Sequence, residues 1–309
     1  MPSLKEIKGR IGSVQSTLKI TSAMKLVASA KLRKAQQAIE GMRPYEQKLQ
    51  EIMAHVLSVQ GSTFQSPFAP HVRSEEDEPR RPRVAIVAMA SNSSLCGAFN
   101  ANAVRLALET LQDQGDADVT VYSIGRKMAE AMRKAGKPSP SDFQKLADKP
   151  AYGPAADLVE QLMDAFREDR LDRVELVYNH FVTSAHQVPV RETLLPMGIP
   201  SPASPVRNEK VDPSSVVPNG AKESDPDYIF EPSAIDLLED LLPKTLKLKL
   251  FTALLDSAAS EHAARTVAMQ TATDNGEDLL QELTLQYNKS RQQKITAEIL
   301  DLAGGNQEA

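Results

Sequence analysis

From the start of the chain, apolar residues fall at Leu4, Ile7, Ile11, Val14 and Leu18, in steps of three, four, three and four. That spacing is the a/d seam of a helix that lies lengthwise along another helix. Ser3, with Glu6 three residues on, has the form of a capping box that starts it. Past Leu18 the stripe resumes at Ile20, Met24, Val27 and Leu32, shifted around the helix. After Pro44 a helical pattern returns through Leu49, Ile52, Met53, Val56 and Leu57. A helix over residues 3–58 would be roughly 80 Å long. Gly9 and Gly12 each weaken it by about 1 kcal/mol, and they leave room for a neighbouring backbone to approach.

The other end of the chain mirrors this. Pro243 suits a first helical position. From Lys244 to Leu302 only Gly276 argues, weakly, for a stop, and Gly304-Gly305 forms a C-terminal one. The last heptads read Leu279/Leu280, Leu283, Tyr287, Arg291, Ile295, Ile299 and Leu302, with Asn288, Arg291 and Gln292 interrupting the apolar seam. Neither helix can bury its stripe alone. With one at each end of the chain, antiparallel packing on each other is the economical solution.

Between them the period changes. Val84–Met89 is a continuous apolar run of the kind found in buried parallel strands. A helix over about 99–113, a strand over Val119–Ile124, a short helix over Gly125–Ala135, a helix over about 154–168, and strands over Val174–Tyr178 and Val188–Leu195 follow. Such alternation predicts βαβ units and a mostly parallel sheet. Residues 60–83 read as a loop carrying the acidic run Glu75–Glu78 and the basic cluster Arg80, Arg81, Arg83. Tyr228–Phe230 reads as a strand and Ser233–Leu242 as a short amphipathic helix.

The expected fold class is therefore α/β. A Rossmann-like domain is inserted into a long antiparallel coiled coil of the terminal helices. The boundaries are an N-terminal coiled-coil helix (1–58), a linker (59–83), the α/β domain (84–195), a Pro-rich insert (196–227), a strand and short helix (228–242) and a C-terminal coiled-coil helix (243–309). Proline placement agrees: of 20 prolines, all but Pro2 and Pro243 lie from Pro44 to Pro232. Proline costs a helix interior about 3 kcal/mol, so the two ends are free to be long helices.

Composition narrows the function. The net charge of −5 makes the whole chain no obvious nucleic-acid binder. The basic first helix (Lys5, Lys8, Arg10, Lys19, Lys25, Lys31, Arg33, Lys34 against Glu6) resembles a mitochondrial presequence in composition. Its seam, however, runs straight through those basic residues. No run of 18 apolar residues could span a membrane. A single cysteine, Cys96, excludes an internal disulfide and a Cys-based metal site. Neither G-x-G-x-x-G nor a P-loop is present. In the first βα turn, Ala90–Asn100, the serines are expected to cap a helix and Cys96 to be buried. The five histidines, His55, His71, His180, His186 and His262, lack metal-ligand spacing. No catalytic, cofactor or metal residue is nominated. On residue chemistry alone, an α/β ligand-binding domain or small enzyme dimerising through a terminal coiled coil stays open beside a mechanical role.

Four stretches carry a resemblance. Ile20–Gln36 (ITSAMKLVASAKLRKAQ), Ser94–Asn100 (SLCGAFN), Ala258–Arg265 continuing to Asn275, and Tyr287–Gln292 with Ile295–Glu298 are similar, in order, to the signature blocks of the gamma subunit of bacterial F-type ATP synthases. The matches span residues 4–305. The resemblance implies a non-catalytic central rotor shaft, with the two terminal helices inside a hexamer of alternating alpha and beta subunits. The α/β domain would sit on the membrane ring of c subunits and bind the epsilon subunit. Proton flow would turn ring and shaft, driving ATP synthesis in the beta subunits. It implies no cofactor. It also implies a peripheral location on the cytoplasmic side of the bacterial plasma membrane.

By resemblance, Met24 and Lys25 lie near the beta subunit's lever loop. Arg265, Arg291, Gln292 and Thr296 match coupling or catch positions, and Glu261 a position in the lower shaft. The match begins at about Leu4, so no cleaved leader is expected. Asn92-Ser93-Ser94 stands where the family often has Asp-Arg-Gly, which changes any charged contact there. Gly305 replaces the usual Ala. The 196–227 insert coincides with the regulatory insertion of photosynthetic members but contains no cysteine pair, which excludes thiol control of that type.

Overall fold

A computed structural model describes residues 3–60, 66–69, 80–197, 231 and 233–305. Most of the Pro-rich insert, the strand expected at Tyr228–Phe230 and the run Glu75–Glu78 lie outside the described residues. The elements are α1 (Leu4–Gln60), β1 (Arg83–Met89), α2 (Phe99–Asp113), β2 (Asp118–Ile124), α3 (Arg126–Lys134), α4 (Gln144–Asp148), α5 (Tyr152–Arg167), β3 (Arg173–Phe181), β4 (Gln187–Leu195) and α6 (Ala234–Gly305). Pattern reading finds all of these but α4, which is a single short turn of helix.

The α1 capping box forms as its sequence predicts: the Ser3 amide donates to Glu6 Oε2 at 2.8 Å, and the Glu6 amide donates to Ser3 Oγ at 3.3 Å. The helix then runs 57 residues with Pro44 inside it, and α6 runs 72 residues with Pro243 inside it. Pro243 is therefore not a first helical residue, and the short helix expected over Ser233–Leu242 is the first part of α6. The buried stripe Ala234, Leu238, Leu242, Leu246 and Leu250 passes through Pro243 without a break. Its burial outweighs the roughly 3 kcal/mol that the proline costs. The carbonyls deprived of a partner belong to Glu40 and Glu239, both exposed residues that water can satisfy.

α1 and α6 are antiparallel. Leu18 covers Gly276, Thr21 meets Thr273, Leu32 packs on Ala259 and Ala263, and Met53 meets Thr245. Burial along α1 recurs at Leu4, Ile7, Ile11, Val14, Leu18, Thr21, Lys25, Ala28, Leu32, Ala35, Ile39, Met42, Glu46, Leu49, Met53 and Val56. This is one unbroken 3–4 register, the spacing that winds two helices around each other. The shift to Ile20 and Val27 expected from the apolar pattern does not occur. Polar Thr21 and Lys25 hold the seam, and Ile20 and Val27 lie outside it at 60% and 57% exposure. Gly9 and Gly12 admit no close backbone either, since a Cβ at either would meet nothing within 4 Å.

The sheet has the order β2-β1-β3-β4. β1 pairs in parallel with β2 and β3, while β4 returns antiparallel to β3. One face, with Val84, Ile86, Ala88, Val119 and Val121, is covered by Ala103 and Ala107 of α2 and by Met128 and Met132 of α3. The other face, with Ala85, Val87, Met89 and Leu176, packs on α5, on Leu238–Leu254 of α6, and on Met53 and Val56 of α1. The lower coiled coil is thus part of the α/β core. Residues 253–261 of α6 are buried all round, with α1 on one side and the sheet on the other.

Candidate functional site

The carboxyl end of β1 is where an α/β sheet of this kind would hold a small ligand. Here that end is occupied by the chain itself. The Ser91 amide and hydroxyl both donate to Asn100 Oδ1, at 3.0 and 2.9 Å, and Asn100 Nδ2 donates to the buried Cys96 Sγ at 3.1 Å. The expected serine cap on α2 is absent, because its N-cap, Ala98, offers no side-chain bond. Asn92 instead accepts the Arg126 amide at the start of α3, at 2.8 Å. Gly125 is obligatory there: its φ is +94°, and a Cβ would fall 2.0 Å from the Ala90 carbonyl oxygen. The crevice beside this turn, lined by Gly97, Asn102, Asn179 and Val267, holds about 180 Å³. That is below the size of a ligand pocket. Among the described residues no cluster of His, Cys, Asp or Glu could hold a metal ion, and no helix is long and apolar enough to cross a membrane.

The residues that the resemblance singles out lie on the paired helices, at three heights. At the base, Arg265 Nη1 pairs with Glu261 Oε1 at 2.5 Å, while Nη2 donates to Ser93 Oγ at 2.7 Å and reaches the Ser94 carbonyl at 3.4 Å. Both members of the ion pair have side chains only 11% exposed. Burial raises the Glu261 pKa, and Arg265 pulls it back. This pair braces α6 against the βα turn, with Ser93 and Ser94 supplying neutral oxygens.

Higher up, the strict register places Met24 and Lys25 half-buried at the helix junction, where Lys25 Nζ donates to Gln270 Oε1 at 2.8 Å. Ile20, Leu26 and Val27 turn outward around them. Leu26, at 68% exposure, is missed by pattern reading because it belongs to no stripe. The signal that finds such residues is an apolar side chain off an otherwise strict heptad.

At the top, α6 outruns α1. Stepping back two heptads from Leu18 to Leu4 carries the partner from Gly276 to Ser290, and residues 291–300 are all exposed. Arg291, Gln292 and Thr296 stand on this solitary helix, where Thr296 Oγ1 does no more than donate to the Gln292 carbonyl at 2.9 Å. Ile295, Ile299 and Leu300 project beside them at 48%, 59% and 65% exposure. So many large apolar side chains in water on one lone helix mark a surface made to be covered.

A family profile described as ATP synthase matches residues 3–308. The chain is 52% identical to the ATP synthase gamma chain of Phocaeicola vulgatus, over 99% of both chains. It is 48% identical to that of Bacteroides thetaiotaomicron over the same shares. Its fold resembles a chain from the rotor of Euglena gracilis mitochondrial ATP synthase, with a TM-score of 0.57 at 19% identity, over 94% of this chain and 98% of that one. A chain from the central stalk and c-ring of the Tetrahymena thermophila enzyme matches with a TM-score of 0.51 at 21% identity, over 82% and 99%.

Proposed function

The chain belongs to the ATP synthase gamma-chain family, and we propose that it is the turning central shaft of such an assembly, a non-catalytic subunit whose work is to transmit torque. The observation that carries this reading is the solitary top of α6, an apolar and polar surface with nothing to pack on among the described residues. It would seat in the bearing of an alternating alpha/beta hexamer. Ile20, Met24, Lys25, Leu26 and Val27 would face the beta subunits lower down. Successive helical residues point about 100° apart, so these groups face different directions around α1 and the rod differs around its circumference. A rotor can bias three sites in turn only through contacts that differ between its orientations.

Glu261 and Arg265 would act by stiffening the junction between rod and α/β domain. The α/β domain would grip the c-ring and the epsilon subunit, placing the chain peripherally on the cytoplasmic side of a bacterial plasma membrane, where it couples proton transport to ATP synthesis. The alternative of a domain that dimerises through its coiled coil loses support, because the seam from Leu4 to Val56 is used within the chain.

Two measurements test the reading. The chain should co-purify with ATPase alpha and beta subunits; a stable homodimer that ignores them would overturn it. The double variant Arg291→Ala/Gln292→Ala should leave the unfolding midpoint of the purified chain unchanged and lower proton-driven ATP synthesis in membrane vesicles. Unchanged synthesis would remove these two residues from the coupling surface.

A further inference from the structure

Where the β3–β4 hairpin meets the paired helices, four elements bring charged side chains together. From β3, His180 Nδ1 lies 2.5 Å from Asp256 Oδ2 of α6, and Tyr178 donates its hydroxyl to Glu192 Oε1 of β4 at 3.1 Å. From α6, Lys249 Nζ stands 3.5 Å from Glu192 Oε2 and donates to the Thr193 carbonyl at 2.9 Å. From α1, Glu46 occupies a seam position and feels Asp256 and Glu192 against Arg43 and Lys249. Three carboxylates (Glu46, Glu192, Asp256) therefore face Arg43, Lys249 and His180. With all three carboxylates ionised, the charges balance only while His180 holds its proton. The Asp256 side chain is 11% exposed, so an uncompensated charge there is costly, whereas His180, at 49%, is open to proton exchange.

We propose that this cluster is a proton-operated joint: it binds the β3–β4 hairpin to the two long helices when His180 is protonated and lets the hairpin loosen when it is not. The inference rests on this chain's own side chains and stands apart from its role in any assembly. The hydrogen bond to Asp256 leads in raising the His180 pKa, against the opposing effect of burial. A raised imidazole pKa places the joint's full strength below about pH 6.5 and its loss at higher pH, as the solution passes the raised value. Burial, then Asp256, raises the Glu46 pKa as well. Burial also raises the Tyr178 pKa, and its hydroxyl stays a donor to Glu192 throughout.

The test is amide hydrogen exchange of the full-length chain, corrected for intrinsic rates, at about pH 6 and about pH 8.5, where a histidine charge is lost. Protection of residues 187–195 should fall about tenfold across this interval in the unaltered chain, the change expected for one lost proton-linked contact. His180→Gln should give low protection at both values, and His186→Gln, on the exposed hairpin loop, should behave like the unaltered chain. A flat profile in the unaltered chain, or a full pH response in His180→Gln, would overturn the proposal. If His180→Gln does not fold, an NMR titration of the unaltered chain decides: a His180 pKa at or below 6.5 overturns it as well.

Discussion

Gly276 and Gly12 are the same residue type in the same kind of helix, with opposite consequences. A Cβ on Gly276 would lie 2.7 Å from Leu18 Cδ2 and 3.2 Å from its Cγ, so the absent side chain is the hole into which Leu18 fits. A Cβ on Gly12 would meet nothing. Gly12→Ala should therefore stabilise the isolated chain by up to about 1 kcal/mol, through helix propensity and a less flexible unfolded state. Gly276→Ala gains the same propensity but overpacks the seam, and should destabilise by about 1 kcal/mol net. Urea denaturation of both variants checks this, and Leu18→Ala should relieve the cost of Gly276→Ala in a double-mutant cycle.

His262 offers a second residue-scale test. Its Nδ1 is buried without a hydrogen-bond partner among the described residues, and burial, aided by nearby Lys31 and Arg265, depresses its pKa to about 4. The folded chain thus binds fewer protons here than the unfolded one, and stability is lost as pH falls from about 6.5 toward 4. The gap corresponds to at most about 3 kcal/mol, or about 2 kcal/mol for a ring this incompletely buried. Thermal unfolding of His262→Gln should lose correspondingly less over that interval than the unaltered chain; equal losses would contradict the assignment.

At the scale of elements, much was legible. The capping box at Ser3, the continuous apolar run of β1, and the alternation through α2, β2, α3, α5, β3 and β4 all follow from periodicity and local chemistry, and the sheet has them where the pattern puts them. Pro243 misled, because a local penalty of about 3 kcal/mol says nothing about the stripe that Ala234–Leu250 buries on the sheet, which only tertiary structure reveals. The register after Leu18 misled for the converse reason. Thr21 and Lys25 are polar, and nothing local shows that Thr273 and Gln270 wait across the seam to satisfy them. The same substitution of polar for apolar residues in the seam pushes Ile20 and Val27 out to where they can serve as a surface. Ile20 and Val27 were thus visible in the sequence as apolar residues, and their outward placement was not. Arg265 reads from sequence as a surface residue of a helix. Its bond to Ser93 spans 172 positions and needs the fold to be seen.

The whole molecule is graded along its length. At the base, α1, α6, α5 and the sheet share one core. In the middle, the seam is narrow, with Leu32 meeting Ala259 and Ala263. Near the top, an open cavity of about 630 Å³ lies between Glu6, Gly9, Arg10, Ser13 and Val14 on one helix and Leu279 and Leu283 on the other. Beyond Ser290, α6 has no companion among the described residues. A lone helix of about fifteen residues is marginal in water, since its nucleation cost is met by little besides its own hydrogen bonds. Joined to a long folded helix it avoids that cost, yet it buries nothing that would stabilise the rest. Ending the chain after Ser290 should therefore leave the urea midpoint and slope of the purified protein unchanged within error, because the slope reports surface exposed on unfolding and this segment contributes little. The same truncation should weaken co-purification with alpha and beta subunits and lower coupled ATP synthesis, because it removes Arg291, Gln292, Thr296 and the exposed Ile295, Ile299 and Leu300 together. A truncated chain that unfolds much more readily would mean that the top of α6 packs on its own molecule. One that couples normally would mean that the contacts turning proton flow into work lie lower, around Leu26 and Lys25.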